Sequence, residues 1–424
     1  MRIRAALLFF CFSLTCAATG GGAPAAVATE QKVTSNGLAL TPPMGWSSWN
    51  NFAENINETL LMETIDAMAT NGMRDAGYQY INLDDGWQHY KGNRRDHPLE
   101  ADPVKFPHGI RYLSDYAHSK GLKLGIYSGP GQMTCAGYTG SEGHEKEDAA
   151  LFASWGIDHL KYDSCCSHKD APKAVVQAIF GNMSKALLAQ KHGIVFHACH
   201  CGWSDIWEWA AGLGINHWRI GQDISDDFDY PGNREGYYFD ILDMIDRGVG
   251  LEKYAGPGHW NDYDMMVVGL KGKSADLVGA GASNVEYRTH FSLWAMVNSP
   301  LLASADLRHL DSDTLETLTN TEIIALNQDP LGKPAQRVRS AGGLEVFAKE
   351  LADGSIAVAL LNRGSPTADM TFNVHKDFNL PWTRYQVRDL WRHKDLGIYD
   401  IPYTAEVISH EARVFRISEI KADR

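Results

Sequence analysis

The chain has 424 residues, 44% of them hydrophobic, enough to bury one large core and a smaller second one. Its formal net charge is -13, its pI is about 5.7 and no Lys/Arg-rich run stands out, so nucleic acid and anionic membrane are excluded as expected partners. The 12 tryptophans and 17 tyrosines suit a sugar-binding cleft as well as a large core.

Residues 1–25 read as a secretory signal. Arg2 and Arg4 precede an apolar run over 5–14, and small residues around Ala17 and Ala18 offer a cleavage zone. The run is too short to span a bilayer, and Ser13-Leu14-Thr15 is a poor lead for lipid attachment at Cys16. The expected destination is secreted or extracytoplasmic, with residues 26–38 as a disordered lead-in. Of 7 cysteines, Cys11 and Cys16 fall in the signal. Cys135, Cys165, Cys166, Cys199 and Cys201 remain, an odd number, so at least one is free or pairs between chains. Cys199-His200-Cys201 also looks ligand-like, although its one-residue gap is shorter than zinc sites usually show. Asn57-Glu58-Thr59 and Asn182-Met183-Ser184 fit the N-glycosylation pattern.

From there one rhythm recurs. Short apolar segments end in polar residues: "PPMGWSSWN", "YQYINLDDGW", "GLKLGIYSG", "GIDHLKYDSC", "GIVFHACHC", "NHWRIGQD", "GHWNDYDMM" and "NSPLLASAD". Their starts lie roughly 25 to 45 residues apart, the length of a strand-plus-helix unit. Helical periodicity fills intervals such as 58–76, 145–155 and 171–189. Eight such units predict a (β/α)8 TIM barrel over 39–332, and no glycine-rich phosphate loop follows the first strand to suggest an open sheet. Beyond about residue 335, "LEVFAKELADGSIAVALLNRG" reads as strand, Asp353-Gly354 turn, strand. Residues 333–424 are therefore expected to form a C-terminal antiparallel β-sandwich domain.

Barrel enzymes work at the C-terminal ends of their strands. Those ends here supply Trp49, Asp84, Asp85, Tyr127, Lys161, Asp163, Arg219, Asp223, Asp262 and Asp264. So many carboxylates either hold a divalent metal or divide into catalytic acids and hydrogen-bond acceptors for a polyol. Lys161 and Arg219 favour the polyol, because fixed cations oppose a bound metal. Trp46, Trp49, Trp87, Trp203 and Trp260 lie near the same rim, where an indole either fills core or faces a pyranose. Asp262 reads as a turn or supporting residue, and Asp205 and the acids of 226–229 as solvated or capping groups.

The strings "PPMGWSSWNNF", "NLDDGW", "KYDSC", "RIGQDISDDF" and "WNDYDM" resemble, in order, the motifs of glycoside hydrolase family 27, the α-galactosidase family. The resemblance implies a retaining hydrolase that needs no cofactor and no metal. Asp163 takes the nucleophile's position and Asp223 that of the acid/base, a pair expected ~5–5.5 Å apart. Lys161 and Arg219 are expected to keep Asp163 ionised, and Asp223 to sit where its pKa is raised. It further implies that Asp84 and Asp85 accept the sugar's 4- and 6-hydroxyls and that Lys161 binds around the 3- and 4-hydroxyls. Trp49 and Tyr127 shape the pocket, while Arg219 and Asp264 hold the 2-hydroxyl region. A disulfide between Cys135 and Cys165 belongs to the same pattern. The chain departs from it at Gly86, where relatives commonly carry cysteine, and at Cys199-His200-Cys201-Gly202, where α-galactosidases usually read close to Cys-Glu-Trp-Gly. That loop, with Cys199, meets the 2-position, which leaves α-N-acetylgalactosaminidase as a sibling reading. Retention of Asp84 and Asp85 argues against the β-L-arabinopyranosidase branch. A metal-dependent barrel enzyme and a non-catalytic sugar-binding protein are the alternatives from other classes.

Overall fold

The computed structural model describes residues 36–165, 168, 170–230, 238–275, 277 and 279–421. The signal-like residues 1–25 and Cys166 lie outside the described residues. Of the stretch 26–38, residues 36–38 are described, and Asn36 exchanges two 3.0 Å amide hydrogen bonds with Asn216. No described helix is long and apolar enough to cross a membrane.

All eight apolar segments form strands: β1 (Met44–Ser47), β2 (Tyr80–Asn82), β3 (Lys123–Ser128), β4 (His159–Asp163), β5 (Val195–Cys199), β6 (His217–Arg219), β7 (Trp260–Asp262) and β8 (Leu301–Ala303). They pair in parallel in the order β7-β6-β5-β4-β3-β2-β1-β8. Among the described residues the circle closes through a parallel bridge, Met266 to Ala303, just beyond β7. Parallel strands covered by helices bury both faces, which is why these segments read as apolar runs rather than alternations. Gly45 is dictated by packing: a Cβ there would lie 2.4 Å from the Tyr80 carbonyl oxygen of β2.

The helical interval 58–76 is two helices, Glu58–Thr70 and Met73–Ala76, because Asn71-Gly72 interrupts it with Gly72 at φ +96°. Asn57 caps the first, accepting the Leu60 N–H at 2.9 Å. Glu145–Ser154 and Lys173–Leu188 occupy the other two expected intervals.

Eight further strands follow: β9 (Gln336–Ala341), β10 (Leu344–Glu350), β11 (Ile356–Asn362), β12 (Ala368–Phe372), β13 (Tyr385–Asp389), β14 (Lys394–Tyr399), β15 (Tyr403–Val407) and β16 (Ala412–Glu419). Six pair antiparallel in the order β14-β13-β16-β11-β10-β9, and β12 pairs with β15. Val346, Val358, Phe372, Tyr403 and Phe415 share the core between these two layers. The helix Asn284–Met296, begun by a Ser283–Glu286 capping box, is buried along most of its length between the barrel and this domain.

Candidate active site

The expected rim residues converge at the C-terminal mouth of the barrel. Lys161 and Asp163 lie on one face of β4 with Tyr162 turned into the core, as the period of a strand requires. Cys199 ends β5 opposite Asp163, Arg219 ends β6, and Asp84 and Asp264 follow β2 and β7. The Lys161 ammonium donates to Asp84 Oδ2 at 2.9 Å and stands 3.9 Å from Asp163 Oδ2. It also lies 5.2 Å above the Tyr127 ring. The Cys165 N–H donates to Asp163 Oδ1 at 2.8 Å. Arg219 bridges two carboxylates, Asp264 at 2.9 Å and Asp223 at 3.0 Å. Asp223 is 50% exposed at the mouth, whereas Arg219 and Asp264 are buried.

The electrostatics differ from expectation at Asp163. Burial pushes its carboxyl above the ordinary range, and Lys161 with the Cys165 N–H only partly offsets this. The lysine itself stays charged: burial disfavours its ammonium, but Asp84 and Asp163 outweigh that and raise its pKa above the ordinary value. Burial lifts Asp85 to about 7, against hydrogen bonds from Ala136 and Gly86. The Ala136 bond, at 2.8 Å, ties Asp85 to the loop that carries Cys135, and the Gly86 N–H holds its other oxygen at 2.9 Å. Cys135 and Cys165 are joined in a disulfide, and the Tyr127 hydroxyl donates to Cys135 Sγ at 2.9 Å. The disulfide, Tyr127 and Asp163 thus form one packed edge.

The structure decides several rim readings that the sequence leaves open. Trp46, Trp87 and Trp260 are core, their indole N–H groups donating to the carbonyls of Ala305, Tyr127 and Ala39. Trp49 and Trp203 are half-buried. Asp226 is not solvated: it is buried, accepts from Tyr287 Oη at 2.9 Å and from the Gly272 N–H at 2.7 Å, and staples the loop after β7. Cys199-His200-Cys201 is no zinc set. Cys201 is disulfide-bonded, Cys199 is a buried thiol, and His200 Nδ1 pairs with Ser164 Oγ at 2.7 Å. Gly86 fits its place because its φ is +97° and a Cβ would press on the Glu54 backbone at 3.1 Å.

Three residues escaped the sequence reading: His159, His197 and His217, buried one layer below the mouth. Each precedes a rim residue by two positions in its strand, and that spacing was the available signal.

A parallel eight-stranded barrel with carboxylates and fixed cations at its mouth has the architecture of barrel enzymes, which work at this end of their strands. The sequence model described as alpha galactosidase A matches residues 41–329, and that of the alpha galactosidase C-terminal beta sandwich domain matches 341–417. The α-galactosidase of Cyamopsis tetragonoloba is 41% identical over 90% of this chain and 87% of its own. The crystal structure of α-galactosidase I from Mortierella vinacea superposes with a TM-score of 0.84 at 35% identity, covering 91% of this chain and 99% of that one. The α-galactosidase of Saccharomyces cerevisiae with raffinose gives 0.83 at 29% identity, covering 91% and 99%. The chain belongs to the α-galactosidase family and is a glycoside hydrolase.

Proposed function

We propose that the protein is an exported, retaining exo-α-galactosidase that removes terminal α-D-galactosyl residues from oligosaccharides such as raffinose. The observation that carries this reading is the pairing of Lys161 and Asp163 on β4 with Arg219 and Asp223 beyond β6. Export is supported by the signal-like residues 1–25 and by the Cys135–Cys165 disulfide.

Asp163 is the nucleophile. Its Oδ1 is held by the Cys165 N–H, leaving Oδ2 to attack the anomeric carbon while the bond to the leaving oxygen breaks. Asp223 gives its proton to that oxygen. In the second half, Asp223 takes a proton from water, the water oxygen bonds to the anomeric carbon, and Asp163 is released. The half-exposed position of Asp223 suits an exchange with both leaving group and water. Asp84, anchored by Lys161 and by its own contacts with Ser47 and Ser48, is placed to accept sugar hydroxyls, and Lys161 to donate to them. Asp85, Trp49, Tyr127, Cys199 and Asp264 complete the pocket.

Rates on nitrophenyl α-D-galactopyranoside, α-N-acetylgalactosaminide and β-L-arabinopyranoside test the sugar, each with and without chelator. The galactoside should turn over fastest and survive chelation, and Asp163→Ala should lower kcat/KM by more than about 10³-fold. Faster turnover of either other glycoside would overturn the sugar assignment, and loss on chelation would overturn the mechanism.

A further inference from the structure

Barrel interiors ordinarily pack branched apolar side chains beneath the active site. Here β4, β5 and β6 turn His159, His197 and His217 inward, and their ring nitrogens gather within 4.8 Å of one another. His159 Nε2 lies 2.9 Å from His217 Nε2, and His217 Nδ1 lies 3.0 Å from Asp262 Oδ2. His197 Nε2 approaches the same oxygen at 3.1 Å. An N···N contact needs one donor and one acceptor. With His217 Nδ1–H donating to Asp262, His217 Nε2 is assigned as acceptor and His159 as donor.

The other Asp262 oxygen accepts the Asp264 N–H at 2.8 Å. Asp264 has φ +82°, a conformation non-glycine residues adopt only when their surroundings hold them there. Its carboxylate takes the Ile224 N–H at 2.8 Å and Arg219 at 2.9 Å, and Arg219 reaches Asp223 at 3.0 Å.

We propose that Asp262, clamped by His217 and His197, is a positioning residue: it holds the strained Asp264, Asp264 holds Arg219, and Arg219 aims Asp223. This rests on the reading of Asp223 as the acid/base. Burial opposes a charge on Asp262, yet His197 and His217 outweigh it and keep the carboxyl well below its ordinary range. Burial drives His159 and His197 down, His197 to about 3. Lys161 and Arg219, on the histidines' own strands β4 and β6, and Asp84 and Asp264, after β2 and β7, line the same cavity as the array.

A metal site is the competing use of three imidazoles. The rings of His197 and His217 stack at 4.0 Å and 21°, so one ion cannot lie in both ring planes. The His159–His217 contact is already closed by a hydrogen bond, and two cations, Lys161 and Arg219, border the same small cavity.

The test uses kcat/KM of the full chain on raffinose, whose leaving group needs a proton, and on 2,4-dinitrophenyl α-galactoside, whose leaving group does not. His217→Leu should lower the raffinose value by about 30-fold and the dinitrophenyl value by about threefold or less. His217→Asn, which keeps a donor toward Asp262, should restore raffinose turnover to within about threefold of wild type. If His217→Leu yields no folded protein, His197→Leu supplies the same contrast with a smaller loss. Equal losses on both substrates, or no rescue by asparagine, would overturn the proposal. So would stoichiometric zinc in the purified protein whose removal reproduces the His217→Leu loss. Asp223→Ala separates the two readings. If it loses both substrates equally, the acid/base assignment fails. If it spares the dinitrophenyl substrate while His217→Leu does not, only the positioning role fails.

Discussion

Two enclosed lysines show how partners, rather than burial, set the behaviour of a charge. Lys161, its side chain 13% exposed, faces Asp84 and Asp163, and the two carboxylates hold it as a cation against the cost of burial. Lys349 of β10 is buried where the C-terminal domain meets the barrel, and its ammonium has neutral partners, Asn298 Oδ1 and the Leu326 carbonyl at 2.7 Å. Burial there pushes its pKa from the ordinary 10.5 to about 7, with Asp329 only partly opposing. The first lysine is a fixed cation at the mouth of the barrel. The second is a hydrogen-bond donor whose charge is dispensable.

The largest expected effect breaks the first member of the pair. Lys161→Met should lower kcat/KM by about 10³-fold, because it removes a preorganised cation from the pocket. It also leaves Asp84 buried without its partner and should cost about 3 kcal/mol in denaturant unfolding. Retention of activity within tenfold would make Lys161 a structural group like Lys349. A smaller effect should follow from loosening the same edge without touching either charge. The Cys135–Cys165 disulfide closes a loop with a sequence separation of 30, and the Cys165 N–H holds Asp163. The Cys135→Ser/Cys165→Ser double variant should lose about 3 kcal/mol of stability. Its kcat should fall about tenfold with KM changed little, as expected when the proposed nucleophile, Asp163, is less firmly placed. Unchanged kcat would show that the Lys161–Asp163 geometry stands without the disulfide.

What the sequence disclosed follows the same division. The strands of the barrel were legible because parallel strands buried on both faces stand out as apolar runs between helical intervals. The mouth was legible because rim residues end those runs. The polar layer below was not: His159, His197 and His217 look like ordinary strand residues until their strands are brought side by side. The role of a strand's face was equally hidden. In β10, Glu345 and Lys349 alternate with Val346 and Ala348, a pattern that signals one solvated face. The structure instead packs that face, with Phe347, against the barrel, where Glu345 pairs with Arg337 at 3.0 Å. Only the docking of the two domains turns those charges inward, and no local pattern encodes it.

Lys349 gives the smallest effect on activity, and its signature is read in stability alone. Its folded pKa of about 7 lies below the unfolded 10.5, so between those values the unfolded chain binds the extra proton. Stability therefore rises with pH across that window, and the penalty of the buried ammonium is present in full below pH 7. Lys349→Met abolishes this dependence while leaving Asn298 Oδ1 and the Leu326 carbonyl without their donor, a loss of about 1 kcal/mol at any pH. The difference between variant and wild-type melting temperatures should thus favour the variant most near pH 6 and decline steadily toward pH 10, with kcat unchanged throughout. A difference that stays flat over that range would mean Lys349 keeps its proton in the fold. The two lysines would then differ in partners but not in charge.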